Sequence, residues 1–349
     1  MTAQKNFESR LKVLIAIGSS ALFTAGCVKA PLTEEWQAYF ILGHTSPINA
    51  VAISPDGAKL YSGCDDNTIK IWELKSDCDE QIKFQAVITL KGHTRGITSL
   101  SLNRDGNLLA SGGEDLLVKV WDLASMKEKC IFHGHTGVVR SVSFFPDGKT
   151  IASGGDDGIV ILWDVPTEKK KYTLRGHTDW VRCVAVAENG EMLASGSSDG
   201  TIRLWDPSSG SELRTLKGHG AGITCVAFSP DASLLVSGSF DRTLKLWNLS
   251  TGIEQKTFTG HISTVWCAAI APNGKLLVSG SSDPNGRLKF WEIASGQELL
   301  TLETYSGSVT SLAFSQDGST LLTGGSGNRY NQPVLRFGDL PLPVLRSLQ

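Results

Sequence analysis

The chain has 349 residues and a formal net charge of −2, with 41% hydrophobic and 19% charged residues. This length suits two average domains or one large all-β domain, and it is long enough to bury a substantial core. The weak net charge excludes a global field that would recruit nucleic acid or an anionic membrane surface. Glycine is abundant, at 37 residues, and together with frequent Ser, Thr and Asp it indicates many short strands joined by tight turns.

The N-terminus differs in character from the rest of the chain. Three basic side chains precede a short apolar run, and small residues lead from this run into Cys27. A basic segment, a short apolar segment and small residues in this order are typical of a secretory signal. The run is too short to span a bilayer comfortably. We therefore predict a signal peptide or N-terminal anchor over residues 1–26 and a short tether over residues 27–35.

The end of this signal resembles the lipobox of bacterial lipoproteins, in which a cysteine is lipidated and becomes the mature N-terminus. The sequence reads "TAGC", so that Cys27 occupies the lipidated position and Thr24 stands where Leu is usual. The resemblance implies an exported protein that is anchored on the extracytoplasmic side of a membrane through Cys27. An ordinary signal peptide, an uncleaved anchor and a cytoplasmic location are the alternatives.

Two short motifs recur along the chain with a common period. Gly-His occurs six times in steps of 49, 42, 42, 42 and 42 residues, and Trp followed by Asp, Glu or Asn occurs in steps of 49, 42, 42, 42 and 44. Between them, apolar residues alternate at strand period and turns such as "SPDG" and "FPDG" follow, with no helical pattern. The two motifs begin at Gly43, Gly92, Gly134, Gly176, Gly218 and Gly260, and at Trp72, Trp121, Trp163, Trp205, Trp247 and Trp291.

A period of forty-odd residues with these signatures resembles the WD40 repeat family, in which each repeat forms one four-stranded propeller blade. The resemblance covers residues 36–340 and implies an all-β, seven-bladed β-propeller. The last repeat keeps the strand pattern but has lost both motifs, and an isolated strand, "WQAYFIL", precedes the first Gly-His. We expect this N-terminal strand to pair with the C-terminal strands and close the ring. Residues 341–349 are predicted to be a C-terminal tail.

Ser, His and Asp recur together in the repeats, a combination that elsewhere forms a catalytic triad. Here the set occurs once per repeat, whereas a catalytic site is expected to be unique. The family resemblance implies that these residues and the Trp form hydrogen-bonded structural tetrads. We therefore predict no catalytic residue, no enzymatic activity and no cofactor. The clearest tetrads are His177, Ser195, Asp199 and Trp205, and His219, Ser237, Asp241 and Trp247.

Three cysteines lie 42 residues apart, on successive inner strands, at Cys183, Cys225 and Cys267. Other repeats have Ala or Ser at the same position, so we predict a slot for a small buried side chain. Cysteines on neighbouring blades could approach one another, but no CxxC pair or His-rich tract accompanies them. We predict no metal site.

Positions that differ between repeats are the ones that could recognise a partner. The resemblance implies that the residues four and six after the Gly of Gly-His face the top of the disc, together with the residue before the tetrad Asp. Large side chains occur at these positions in blades three to six, and Trp and Arg are the residue types that dominate interface energetics. We predict that a protein or peptide partner binds to Arg140, Trp180, Arg182, Phe240 and Trp266. The alternative is that each packs only on a neighbouring blade.

The leading prediction is a non-catalytic interaction scaffold that binds a protein or peptide on the top face, exported and tethered to a membrane. A cytoplasmic adaptor of a multiprotein complex is the first alternative. An enzyme with a site at the central channel is the second, although no cluster of His, Cys or charged residues stands apart from the repeats. Nucleic-acid binding is disfavoured because the sequence contains no basic stripe.

Overall fold

A computed structural model describes residues 39–40, 43–76, 82–284, 286–304, 307–326 and 333–339. All regular elements in these ranges are β-strands, which confirms the predicted all-β class. None of the described residues forms a helix that is long and apolar enough to cross a membrane. Cys27 and the segments predicted as signal, tether and tail lie outside the described residues, as does most of the strand predicted at residues 36–42.

The described residues contain 28 strands. From β2 onwards, successive strands run from the innermost to the outermost position of a sheet, and the next strand begins the next sheet. Their bounds are β1 Tyr39–Phe40; β2 Ile48–Ile53, β3 Lys59–Cys64, β4 Thr68–Ser76, β5 Ile82–Lys91; β6 Ile97–Leu102, β7 Leu108–Gly113, β8 Val118–Asp122, β9 Lys127–Phe132; β10 Val139–Phe144, β11 Thr150–Gly155, β12 Ile159–Asp164, β13 Lys169–Arg175; β14 Val181–Val186, β15 Leu193–Ser197, β16 Thr201–Asp206, β17 Ser211–Lys217; β18 Ile223–Phe228, β19 Leu234–Ser239, β20 Leu244–Asn248, β21 Glu254–Phe258; β22 Val265–Ile270, β23 Leu276–Ser281, β24 Arg287–Glu292, β25 Glu298–Glu303; β26 Ser308–Phe314, β27 Thr320–Ser326 and β28 Pro333–Asp339.

The strands form four-stranded antiparallel sheets arranged as a propeller. Six sheets each consist of four consecutive strands and correspond to the six repeats with Gly-His, and we number these blades one to six from β2. A seventh four-stranded sheet has the order β1-β28-β27-β26, and its strand β26 contacts both β22 of blade six and β2 of blade one. The innermost strands therefore contact each other in a closed circle. In the seventh sheet β1 pairs with β28, with Tyr39 opposite Phe337.

The hydrophobic core lies between blades rather than within them. One buried cluster joins Val118 and Phe132 of blade two to Val139 and Trp163 of blade three. The Ser-Gly step of each middle strand follows from this packing. For example, a Cβ atom built on Gly154 would lie 2.5 Å from Cγ1 of Val181 in the next blade. Only a residue without a side chain fits at that distance, so the repeated glycine is required for blades to pack closely.

Candidate functional site

The recurring His, Ser, Asp and Trp residues form one continuous chain of hydrogen bonds in each Gly-His blade. In blade four, Trp205 Nε1 donates to Ser195 Oγ at 2.8 Å, and Ser195 Oγ lies 2.8 Å from His177 Nε2. His177 Nδ1 lies 2.9 Å from a carboxylate oxygen of Asp199. If Ser195 donates its proton to Nε2, the imidazole carries its own proton on Nδ1 and donates it to Asp199. A neutral histidine satisfies every partner in this chain.

The electrostatics of the tetrad agree with this protonation. Burial lowers the pKa of His177 below its usual 6.5, and the hydrogen bond to Asp199 only partly opposes this effect. Burial works against ionisation of Asp199, but hydrogen bonds from Thr201 and His177 outweigh it and lower the pKa of Asp199 to about 2. Near neutral pH the tetrad therefore holds a neutral imidazole beside an ionised carboxylate.

The tetrads hold the strands of each Gly-His blade together, and their serine side chains are buried. Ser195 is fully buried, and its hydroxyl is already engaged by Trp205 and His177, so no substrate can reach it. The same bonds occur in blade five among His219, Ser237, Asp241 and Trp247. They also occur in blades one, two, three and six, among His44, Ser62, Asp66 and Trp72; His93, Ser111, Asp115 and Trp121; His135, Ser153, Asp157 and Trp163; and His261, Ser279, Asp283 and Trp291.

Two tetrad residues of blade one and a neighbouring cysteine form a cluster with the composition of a metal site. The ligand atoms of His44, Cys64 and Asp66 lie within 4.8 Å of one another. Both ring nitrogens of His44 are already hydrogen-bonded, to Asp66 and to Ser62, and the Cys64 thiol bonds to a backbone carbonyl at 3.0 Å. Burial raises the pKa of Cys64 to about 12, which disfavours the thiolate that a metal requires. A metal would have to displace the tetrad bonds, so we assign this group to the fold.

The three cysteines on inner strands line the central channel as small buried side chains. Cys183, Cys225 and Cys267 are at most 9% exposed. Burial raises the pKa of Cys225 to about 12 and the pKa of the other two thiols well above the usual value. These thiols are therefore protonated at neutral pH and are poor nucleophiles and poor metal ligands.

The innermost strands enclose a channel whose cavity has a volume of about 790 Å³. At one end of the channel, which we call the upper mouth, lie the starts of the inner strands and the residues that precede each tetrad Asp. The channel lining there includes Arg140, Arg182 and Trp266 from three blades and the carboxylates of Asp65 and Glu114 from two others. The upper mouth is therefore polar and bears both signs of charge.

In four blades, the residue after the first buried apolar residue of the inner strand closes the seam to the next blade. Each such side chain donates a hydrogen bond to a backbone carbonyl of the neighbouring inner strand, and we call these contacts the seam bonds. They are Asn49 to Ile97 at 3.0 Å, Thr98 to Val139 at 2.5 Å, Thr224 to Val265 at 2.5 Å and Thr310 to Ile48 at 2.7 Å. A small polar side chain at this position therefore serves the fold.

Blades three, four and six have Arg140, Arg182 and Trp266 at the same position, and these side chains bond within their own blade, as Asn49 does to Asp65 in addition to its seam bond. Arg140 donates two hydrogen bonds to Asp156 at 2.8 and 2.7 Å. Arg182 Nε donates to Ser198 at 2.6 Å, and Trp266 Nε1 donates to Ser282 at 2.9 Å. Each acceptor is the residue before the tetrad Asp of the same blade. In these three blades, a large side chain held at the upper mouth therefore takes the place of the side chain that forms the seam bond elsewhere.

The five predicted partner-binding residues are in contact with one another across blades three to six. The Arg140 guanidinium lies 5.4 Å from the ring centre of Trp180, and the Arg182 guanidinium lies 5.2 Å from the same ring. Arg182 also lies 4.7 Å from the ring of Phe240, and Phe240 meets Trp266 edge to face at 5.5 Å. These distances are those of cation–π and aromatic pairs. We call these five residues the aromatic–arginine band.

The band is accessible although its members support one another. Trp180 is 41% exposed, which makes it one of the few large hydrophobic residues on the described surface, and the other four members are half-buried. Each member thus packs on a neighbouring blade, as the alternative reading of the sequence expected, and also presents surface to solvent. Exposed Trp and Arg in contact have the composition of an interface hot spot.

The sequence identified the members of the band but missed the bonds that hold them. The roles of Asp156, Ser198 and Ser282 as acceptors were not predicted, and neither were the seam bonds. A signal for the acceptors was present, because each large donor occurs with an Asp or Ser before the tetrad Asp of the same blade. The sequence alone could not show which carbonyl or carboxylate lies opposite each donor.

Comparisons with known proteins agree with this architecture. The family described as "IFT122 first beta-propeller" matches residues 157–331, about half of the chain. The family described as "WD domain, G-beta repeat" matches residues 36–73, 84–122 and 126–164. A stretch of 42 residues is 43% identical to the nuclear distribution protein PAC1 of Scheffersomyces stipitis, and it covers 12% of this chain and 8% of that protein. The length of this last similarity is that of a single repeat.

Proposed function

Because this chain belongs to the WD40-repeat β-propeller family, we propose that it is a non-catalytic scaffold that binds a protein or peptide across the upper mouth. The observation that carries the proposal is the aromatic–arginine band. It occupies three positions at which four other blades form seam bonds, so its large side chains are not what blade packing demands. A band of this composition is suited to desolvated contact with a partner, in which Trp and Arg contribute most of the binding energy.

The arrangement of the band supports binding rather than simple packing. Trp180 contacts two guanidinium groups, and Arg182 contacts two aromatic rings, and these contacts restrict both side chains before a partner binds. Ordering side chains in advance lowers the entropic cost of association. The protein would thus present a rigid surface to its partner.

The test compares the proteins captured from the native host by the wild-type chain and by the Trp180→Ala/Arg182→Ala variant. We expect the variant to retain less than about a tenth of the captured partner, which corresponds to a loss of at least about 1.4 kcal/mol. The matched control is Leu213→Ala/Arg214→Ala, which removes an exposed apolar residue and an arginine from the outer strand β17. We expect this control to capture the partner as the wild type does.

The outcomes separate the candidate functions. Unchanged capture by the Trp180→Ala/Arg182→Ala variant, with an unchanged thermal midpoint, would contradict the assignment of the binding surface to the upper mouth. Turnover of a small substrate by the purified protein would contradict the non-catalytic assignment. Equal losses in both variants would show that the capture does not depend on one particular surface.

We also propose that the protein is exported and tethered to a membrane through a lipid on Cys27. The support is the sequence pattern alone, in which a basic segment and a short apolar run end at "TAGC". The experiment is an intact mass of the protein from its native host, with identification of the N-terminal peptide. A chain that begins at a lipid-modified Cys27 is the expected result. An unprocessed chain that begins at Met1 would overturn the export proposal and favour a cytoplasmic adaptor.

A further inference from the structure

We propose that the upper mouth recognises an acidic segment of its partner, and that a carboxylate of an Asp or Glu side chain binds to the guanidinium of Arg182. This inference rests on the proposed function and deepens it, since it names the chemistry of the partner at one point of the aromatic–arginine band. It follows from a comparison of two neighbouring blades that have nearly the same arrangement.

Blades three and four both carry an arginine after the first buried residue of the inner strand, but only one of them supplies a carboxylate for it. In blade three, Asp156 accepts two hydrogen bonds from Arg140, which is the bidentate geometry that arginine and carboxylates prefer. In blade four the residue equivalent to Asp156 is Ser198, a neutral group that accepts a single bond from Nε of Arg182. The charge of Arg140 is therefore neutralised by Asp156, whereas the charge of Arg182 is not neutralised by Ser198.

Among the residues that the structure describes, none hydrogen-bonds to the two terminal nitrogens of Arg182. Within the described residues, the bond to Ser198 is the only hydrogen bond that Arg182 makes. Asp156 and Asp179 lie near enough to exert an electrostatic effect on Arg182, but neither bonds to it: Asp156 is engaged by Arg140, and Asp179 accepts a bond from the backbone of Trp180. The planar guanidinium of Arg182 thus keeps the N–H groups of its two terminal nitrogens as the donors that a carboxylate would use.

The surroundings make an unpaired cation unfavourable at this point. Burial and the nearby positive charge of Arg140 lower the pKa of Arg182, and they outweigh the opposing effect of Asp156 and Asp179. The rings of Trp180 and Phe240 both lie against the guanidinium, and Arg182 is half-buried. A partner carboxylate would therefore find an ordered, partly desolvated donor, which is the setting in which charge-assisted bonds are strongest.

The exposed ring of Trp180 defines what should flank the carboxylate. It lies beside both guanidinium groups and is 41% exposed, so an apolar residue next to the acidic one would cover it. We therefore expect acidic and aromatic residues side by side in the partner segment. A suitable probe is a short fluorescein-labelled peptide in which Glu alternates with Phe, together with a matched peptide in which Gln replaces Glu.

The decisive variant is Ser198→Asp, which gives Arg182 the internal carboxylate that Arg140 already has. Because blade three contains this pair, the substitution is compatible with the fold. We expect fluorescence anisotropy to show that the wild type binds the Glu peptide at least tenfold more tightly than the Gln peptide. Ser198→Asp should weaken binding of the Glu peptide at least tenfold, whereas Ser198→Asn, its uncharged counterpart, should stay within about twofold of the wild type.

Several results would overturn the inference. These are no binding of the Glu peptide, equal affinities for the Glu and Gln peptides, or equal binding by Ser198→Asp and Ser198→Asn. A peptide with phosphoserine in place of Glu that binds tenfold more tightly would assign the site to phosphate instead of carboxylate. If Ser198→Asp captures the native partner normally while Trp180→Ala/Arg182→Ala does not, the proposed function stands and the carboxylate inference fails.

Discussion

At the centre of each tetrad, a serine hydroxyl accepts the indole N–H and points towards an imidazole nitrogen that must be unprotonated to accept from it. In blade four this requires a neutral His177 above an ionised Asp199. Protonation of the histidine would place a proton on Nε2, so the serine hydroxyl would lose the acceptor of its own proton. The hydrogen bonds of the tetrads are therefore sensitive to acid.

Stability should fall in two stages as the pH is lowered. Burial lowers the pKa of His44, His177, His219 and His261 below 6.5, so the unfolded chain takes up more protons than the folded chain once the pH falls below about 6.5. The pKa of Asp199 and of Asp241 is lowered to about 2, so a second loss follows between about pH 4 and pH 2. Urea midpoints measured from pH 8 to pH 3 would show both losses.

Two variants test the assignment to the tetrads. His177→Gln keeps polar groups in the tetrad without a titration near neutral pH, so its midpoint should depend less on pH between 7 and 5 than that of the wild type. His133→Gln changes the one histidine outside the Gly-His repeats, which is exposed, and should leave the dependence as it is. A midpoint that does not change from pH 7 to pH 5 in the wild type would contradict neutral tetrad histidines.

At the scale of elements, the seams between blades depend on a few side-chain hydrogen bonds. Adjacent blades are not paired strand to strand, so a hydroxyl or amide that reaches the next inner strand supplies a directional contact between them. The inner-strand serines act in the same way: Ser99 and Ser141 accept backbone N–H groups from the next blade at 3.0 and 3.1 Å. The sequence showed this slot only as one for small residues.

The seam bond from Thr224 should contribute measurably to stability. Thr224→Val removes the hydroxyl that donates to the carbonyl of Val265 while keeping the shape of the buried side chain. We expect a loss of about 1–3 kcal/mol in the free energy of unfolding, because a buried carbonyl loses its donor. Thr224→Ser keeps the hydroxyl and should lose less in the same urea titration. A larger loss for Ser than for Val would show that the methyl group matters and the bond does not.

At the scale of the whole molecule, the ring has no blade that can stand alone, because each hydrophobic cluster is shared between neighbours. Such an assembly needs a contact that joins the first and last sheets. The chain provides it in two ways. The strand β1, which precedes blade one, pairs with β28 of the seventh sheet. Across the final seam, Thr310 donates to the Ile48 carbonyl and Ser311 accepts from the Val51 N–H. The strand at the N-terminus thereby also covers the outer edge of β28.

Removal of β1 should destabilise the ring. A chain lacking residues 1–42 loses this strand, whereas one lacking residues 1–35 keeps it and serves as the control. We expect the shorter chain to have a thermal midpoint lower by at least about 3 °C and to self-associate in size-exclusion chromatography through the uncovered edge of β28. Identical midpoints and elution volumes for the two chains would contradict a stabilising role for β1.

The all-β class, the repeated unit and the positions of the residues in the tetrads and in the aromatic–arginine band could be predicted from the sequence and its family resemblance. These features can be predicted from local patterns, because strand alternation, turn residues and the Gly-His and Trp motifs all lie within one repeat. The three-dimensional arrangement was needed to show which donors meet which acceptors between blades, and which of the two neighbouring arginines is paired with a carboxylate. The contacts between blades join residues about forty or more positions apart, and their geometry depends on how two blades pack. The contacts of the two arginines join residues 16 positions apart that lie in different segments of one blade. The difference between Arg140 and Arg182 is therefore visible only when Asp156 and Ser198 are placed opposite them.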